Sequence, residues 1–253
     1  MMTNDDRVKL LRNRIIDLYE KKGLEVAEKA CYKLLEDSGK GVSKIKEDER
    51  MDALAAFRGE IAEVVLEIAV RDYVKNNKGS FYIKNLFVEK KDNPGHFNEL
   101  DLTLFTEQAI VMFESKSYNV DKEIIGKGIL RMEGRADFNV YEQSMAHLET
   151  LNDNLAGLKK KKGRGFVLIF FDYKMDKYKT VDNRKPEDKK VKFTENISQV
   201  RKTLEKIRDS EDKVWHLGGV LSRLRNNVTN ENKYREKHLK NISKYGKEKE
   251  RSV

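Results

Sequence analysis

The segment FNELDLTLFTEQAIVMFESKSYN, from Phe97 to Asn119, sets the tightest limit on what this chain can fold into. Apolar and polar residues alternate on both sides of a polar turn around Thr106 to Gln108, the pattern of two adjoining strands in one sheet. Side chains alternate across a strand, so Leu100, Leu102 and Leu104 share one face while Asp101 and Thr103 take the other. The same rule puts Glu114 and Lys116 on one face and Phe113 and Ser115 on the opposite one. Two carboxylates and an ammonium therefore meet at neighbouring strand ends, among residues that the pattern buries. Buried charges without partners are costly, so these neutralise one another or hold an ion.

The rest of the chain supplies a sheet for this hairpin and helices around it. Residues 5–37 carry apolar positions at helical spacing, with Lys22-Gly23 marking the break between two helices. From Asp48 to Lys75 a longer helix shows an apolar stripe of Phe57, Ile61, Val64, Val65 and Ile68. SFYIKNLFVEK reads as a strand, and KDNPGHFN as the loop after it. Residues 119–137 are glycine-punctuated and irregular, and a helix runs on to about Leu158. FVLIFFDY then has the continuous apolar character of a central strand covered on both faces. A helix near Ile197 to Arg208 and a basic segment from Asn230, helical or frayed, complete the order. Helix, strand, strand, strand, helix, strand is the order of an α/β fold with a mixed central sheet flanked by helices, and with helical extensions at both ends. The expected divisions are 1–47 for the N-terminal extension, 48–175 for the core and 176–253 for the basic C-terminal extension.

Composition narrows the function classes. The 253 residues carry a net charge of +9, which makes a polyanion a reasonable partner. The run FVLIFF is about a third of what a bilayer-spanning helix needs, so no membrane role is expected. MMTNDDRVKLLRNR has no apolar core of the secretory kind, and the single cysteine, Cys31, fits a reducing compartment, so a cytoplasmic protein is expected. Four histidines and one cysteine in scattered positions give no zinc spacing. GKG at 126–128 and HLGG at 216–219 match no nucleotide-binding signature.

A hard divalent cation such as Mg²⁺ prefers carboxylate and carbonyl oxygens, which Asp101, Glu114 and the Ser115 backbone carbonyl supply. Lys116 would stand beside it, able to steady developing negative charge or position an attacking water. An Asp followed a dozen or so residues later by Glu-x-Lys resembles the PD-(D/E)XK nuclease superfamily, and more closely its nuclease-related domain (NERD) branch. The matching elements are FRGEIAEVVLEI, NELDLTL and FESK, followed by a helix, NVYEQSMAHLETL, in which Val140 stands where the family has proline. The resemblance covers roughly Phe57 to Tyr173. It implies a restriction-endonuclease-like core, and a nuclease cutting nucleic acid, DNA before RNA, with Mg²⁺ or Mn²⁺. It also implies site roles for Glu60 and Gln143 beside Asp101, Glu114 and Lys116, with Glu60 a third acidic metal ligand.

On a helical wheel Glu60 lies about 90° from the centre of the apolar stripe, where it can reach the sheet edge, whereas Glu63 and Glu67 fall further round, toward solvent. Gln143 is likewise off the stripe of Tyr141, Met145 and Leu148. The basic run Lys159, Lys160, Lys161, Lys162 and Arg164 is a candidate phosphate contact. Oligomeric state stays open, a homodimer being the arrangement that double-strand cutting from one site calls for. The competing expectation is a non-catalytic nucleic-acid-binding or assembly module with the same fold.

Overall fold

The computed structural model describes residues 4–38, 47–118, 120–161, 165–173, 178–237 and 239–240. Three helices come first: α1 (Asn4–Lys22), α2 (Leu24–Ser38) and α3 (Glu47–Asn76). Strands β1 (Phe81–Glu89), β2 (Phe97–Phe105) and β3 (Ile110–Lys116) follow, then the short β4 (Lys122–Ile125), β5 (Ile129–Met132) and β6 (Phe138–Asn139). Helix α4 (Val140–Asn154) leads to β7 (Phe166–Asp172), β8 (Thr180–Asp182) and β9 (Val191–Thr194), and then to α5 (Ile197–Arg208) and α6 (Leu217–Thr229). The expected α/β class with helical ends is what the chain adopts. Five strands hydrogen-bond in the order β1-β2-β3-β7-β9, and four in the order β6-β5-β4-β8. Among the described residues no helix is long and apolar enough to cross a membrane.

The chain forms two compact units, each drawn from three segments. The first takes Met1–Lys78, Ser115–Val140 and Ile169–Arg208; the second takes Gly79–Glu114, Tyr141–Leu168 and Asp209–Val253. β3 and β7 each have residues in both.

In the first unit α1, α2 and α3 pack on one another. Ile15, Tyr19, Ala27, Cys31 and Leu35 are buried with Ile61, Val64, Val65 and Ile68, so the periodic apolar positions of the sequence form a joint core. Gly23 joins the first two helices at φ +86°, in the left-handed region glycine favours, and its N–H returns to the Tyr19 carbonyl. Glu67 departs from expectation. It is 5% exposed rather than solvated, because Arg12 of α1 and Arg71 one turn along α3 both pair with its carboxylate.

The segment expected to be irregular, 119–137, instead holds β4 and β5, paired antiparallel through a turn with Gly126 at φ +52° and Gly128 at φ +140°. β8, remote in sequence, adds parallel to β4, and β6 adds to β5. Strands of four residues or fewer are too short for alternation to declare itself, and β8, which pairs with β4, lies far along the chain. Arg184 closes this region. Its guanidinium engages Asp182, donates to the Val191 carbonyl and stacks over Phe193.

In the second unit β1 and β2 pair antiparallel from Phe81↔Phe105 to Glu89↔Phe97. β2 and β3 form the antiparallel pair expected of the opening segment, Leu102↔Phe113 through Phe105↔Ile110. Helix α6 packs on β1, and Asn227 donates to the Phe87 carbonyl. The HLGG motif is the start of this helix, with the His216 imidazole accepting from the Gly219 N–H. Residues 231–237 continue helically. Tyr234 stacks on Phe97 and Arg235 pairs with Glu99, which anchors the basic segment to the start of β2.

Candidate active site

Asp101 and Glu114 owe their positions to strand register. The β2–β3 ladder ends at Leu102↔Phe113, so Asp101 and Glu114 are the next residues on the two strands and share a face of the sheet. On the other side of β2 the pairs Lys84↔Leu102 and Leu86↔Leu100 leave Asn85 across from Asp101. Asn85 has φ +48°, the only positive value among the described non-glycine residues. Asparagine is one of the few side chains that enter this region readily, and the ladder skips the Asn85–Asp101 pair where the backbone turns.

Helix α4 reaches the same strands. Asn98 near the start of β2 donates to the Thr150 hydroxyl and the Ala146 carbonyl, and Asn154 donates to the Glu89 carbonyl at the end of β1. So held, α4 brings Gln143 to the buried Glu114, the amide Nε2 donating to Oε1 over 3.3 Å. One turn on, His147 Nδ1 lies 3.7 Å from the other oxygen of Glu114. His147 was not among the sequence candidates. Its spacing of four from Gln143 was the available signal, since side chains at i and i+4 share a helix face.

Ser115 and Lys116 continue β3 in the first unit, Ser115 buried and Lys116 half-buried. The strand end beyond them is firmly held. Tyr173 N–H donates to the Lys116 carbonyl, Ser117 Oγ donates to the Tyr173 carbonyl, and Tyr118 N–H donates to Asp172 Oδ1. Lys122, fully buried, places its ammonium 2.6 Å from Asp172 Oδ2 and donates to the Tyr118 carbonyl. Burial lifts the Asp172 carboxyl above its ordinary range, with Lys122 and the Tyr118 N–H pulling the other way.

Glu60 also lies in the first unit, on α3, where Arg12 Nη1 meets its Oε1 at 2.8 Å. Of the basic run, Lys161 pairs with Asp212 and Lys159 stands over the Trp215 ring, while Lys160 N–H bonds the Val214 carbonyl. Lys162 and Arg164 lie outside the described residues.

Among the described residues no three His, Cys, Asp or Glu side chains cluster closely enough to hold a metal ion. Mg²⁺ does not require such a cage, because it keeps several waters and commonly takes one or two carboxylates together with substrate phosphates. Asp101 and Glu114 are two such carboxylates. Gln143 Oε1, buried and with no hydrogen-bond partner, is a third oxygen beside Glu114. This all-oxygen donor set fits a hard cation and does not suit zinc.

No curated protein and no solved structure matches the chain. Residues 58–172, which hold Glu60, Asp101, Glu114, Lys116 and Gln143, match the family described as the nuclease-related domain.

Proposed function

We propose that the chain is a metal-dependent nuclease that hydrolyses phosphodiester bonds, of DNA before RNA. The observation that carries this reading is the neighbouring placement of Asp101 and Glu114 at the end of the β2–β3 ladder, with the Gln143 amide on Glu114. Asp101 and Glu114 are the carboxylates that would hold Mg²⁺ or Mn²⁺, which when bound would supply Lewis-acid polarisation of the phosphate and a more acidic water; Glu60, expected as a third acidic ligand, is instead paired with Arg12. Gln143 fixes the Glu114 carboxylate so that its lone pairs stay directed, and its own Oε1 remains an acceptor for a water or the cation. Lys116 carries a positive charge on a strand end tied down by Tyr173, where it offsets the charge that builds on phosphate oxygens. The exposed lysines at 159–161 contribute non-specific attraction to the backbone, to the extent that Lys161 is released from Asp212.

A second reading, a nucleic-acid-binding module without turnover, draws on the Arg12–Glu60 pair, which engages in a salt bridge the acid that the family resemblance gives as a third metal ligand. A time course with supercoiled plasmid and single-stranded oligonucleotide, in Mg²⁺, Mn²⁺ or EDTA, separates the two. Cutting that needs the metal and drops by two orders of magnitude or more in Lys116→Ala and Asp101→Asn is expected. Binding of either nucleic acid by folded protein with no cutting under any metal would reject the nuclease reading in favour of the second.

A further inference from the structure

A cavity lies wholly within the second unit, between the outer edge of β1 and helix α6. It measures about 250 Å³ and is lined by residues 82–86 of β1 and by Asn227, Val228 and Glu231. Side chains alternate across a strand, so five consecutive residues can line one cavity only along the strand's edge, and β1 is the outermost strand of its sheet. The walls are firmly held. Asn227 Nδ2 donates to the Phe87 carbonyl at 2.9 Å, and just past Glu231 the chain is tied to β2 by Tyr234 on Phe97 and Arg235 on Glu99. The lining joins the Tyr82 ring and the apolar Ile83, Leu86 and Val228 to the amides of Asn85 and Asn227 and the Glu231 carboxylate. Asn85 is also the residue across from Asp101, so the cavity begins one strand spacing, roughly 5 Å, from the strand that carries that acid.

We propose that this cavity takes one unpaired base of a single-stranded nucleic acid whose backbone continues to the proposed site at Asp101 and Glu114. The identity of the occupant rests on the nuclease reading. Pockets for drug-sized ligands hold roughly 300–1,000 Å³, and this smaller one suits a single planar group. An aromatic ring beside aliphatic walls is a surface on which a base stacks, and amides with a carboxylate read its edge. Lys84, at the same strand edge, offers a cation to the adjoining phosphate. A base within a duplex has both faces stacked and its edge paired, so only an unpaired base can enter. The polar lining also sets a preference. The Asn227 amide commits a donor to the Phe87 carbonyl, and the Glu231 carboxylate only accepts, so the edge they present is rich in acceptors. It suits a base with an exocyclic amino group, such as cytosine with its N4 donor, over thymine, which has none.

The test is fluorescence anisotropy of short end-labelled oligo(dC), oligo(dT) and duplex DNA with the full chain in EDTA, where no metal-dependent cutting intervenes, and with folding checked by circular dichroism. Wild-type protein is expected to bind oligo(dC) several-fold more tightly than oligo(dT). Val228 is 45% exposed, so a larger side chain there leaves the core undisturbed. Val228→Trp fills the cavity and should weaken oligo(dC) about tenfold while leaving the duplex unchanged. Glu231→Gln keeps the shape but adds a donor, and should remove most of the preference for oligo(dC). Oligo(dC) binding that Val228→Trp leaves unchanged, an equal loss for single strand and duplex, or no binding of any oligonucleotide would overturn the proposal. If Val228→Trp does not fold, Glu231→Gln decides alone, and an unaltered preference rejects the cavity. Plasmid cutting in Mg²⁺ or Mn²⁺ is a separate readout. Cutting by a protein whose single-strand binding ignores both variants keeps the nuclease and rejects the cavity, whereas variant-sensitive binding without cutting keeps the cavity and rejects the nuclease.

Discussion

Lys122→Met tests how the strand end that carries Lys116 is held. Lys122 and Asp172 are 0% and 5% exposed at the side chain and 2.6 Å apart. At an effective dielectric of about 20 such charges attract by roughly 6 kcal/mol. Much of that offsets the desolvation of both groups, but removing one partner leaves the other buried and uncompensated, at a cost of about 3–5 kcal/mol. For a chain of this size that is a fall in Tm of roughly 6–20 °C. The cost also depends on pH with a definite sign. Burial already holds the Asp172 carboxyl above its ordinary range, so the native state keeps that proton more firmly than the unfolded chain does. Stability from such a group is present in acid and is lost as pH rises through the folded value. Lys122→Met removes an influence that lowers that value, so its deficit is smallest in acid and grows toward neutrality. Urea unfolding followed by circular dichroism at several pH values measures this, alongside Asp172→Leu and the Lys122→Met/Asp172→Leu double variant. The double variant should recover most of the loss, since an apolar pair leaves no orphan charge. A single-variant cost below about 1 kcal/mol, or a double variant as unstable as the two singles combined, would refute the reasoning.

Two further outcomes follow from packing. Cys31 is buried in α2, and burial, helped by the charge of Glu28, pushes its thiol up to about 12. The native protein should therefore resist a disulfide reagent at neutral pH and react once unfolded in urea; prompt labelling of folded protein would contradict the packing of α2. At Gly165 an added Cβ would meet Trp215 Nε1 at 2.6 Å and Val214 Cγ1 at 2.9 Å, at the point where the indole donates to the Gly165 carbonyl. Gly165→Ala should cost about 1–3 kcal/mol and alter the emission of the sole tryptophan, and a variant unchanged in both would count against this contact.

What was legible in the sequence were the elements long enough to show a period. The apolar stripe of α3, the glycine break between α1 and α2, and the hairpin of β2 and β3 all stand where spacing puts them. Alternation within each strand sets Asp101 opposite the leucines of β2 and Glu114 opposite Phe113 of β3, whereas the register that makes the two acids cross-strand neighbours is fixed by the β2–β3 ladder. The small sheet of β4, β5, β6 and β8 was not legible, because its strands have four residues or fewer and its parallel pair joins Lys122 to Thr180 across a long separation. Helix α6 was missed because its cap is a histidine, whereas the usual start signals are Ser, Thr, Asp and Asn.

Partners of charged residues form a separate class of loss. A helical wheel assigns Glu67 to solvent, and that inference holds only while no other element lies against the polar flank. Helix α1 does lie there and brings Arg12, so the polar face of α3 is an interface built from ion pairs. The same holds for Lys122 and Asp172 and for Arg184 and Asp182, each a cation met by an acid within the fold. At the surface Lys161 and Lys213 pair with Asp212 and Glu107. Part of the basic character that suggested a polyanion partner is thus spent on the protein's own acids. A net charge of +9 is a property of the whole chain, and the attraction felt by a phosphate backbone depends on the cations not already engaged. The charge total therefore overstates the basic surface, and the stronger pointer to nucleic acid is the placement of Asp101, Glu114 and Gln143, which charge counting does not register.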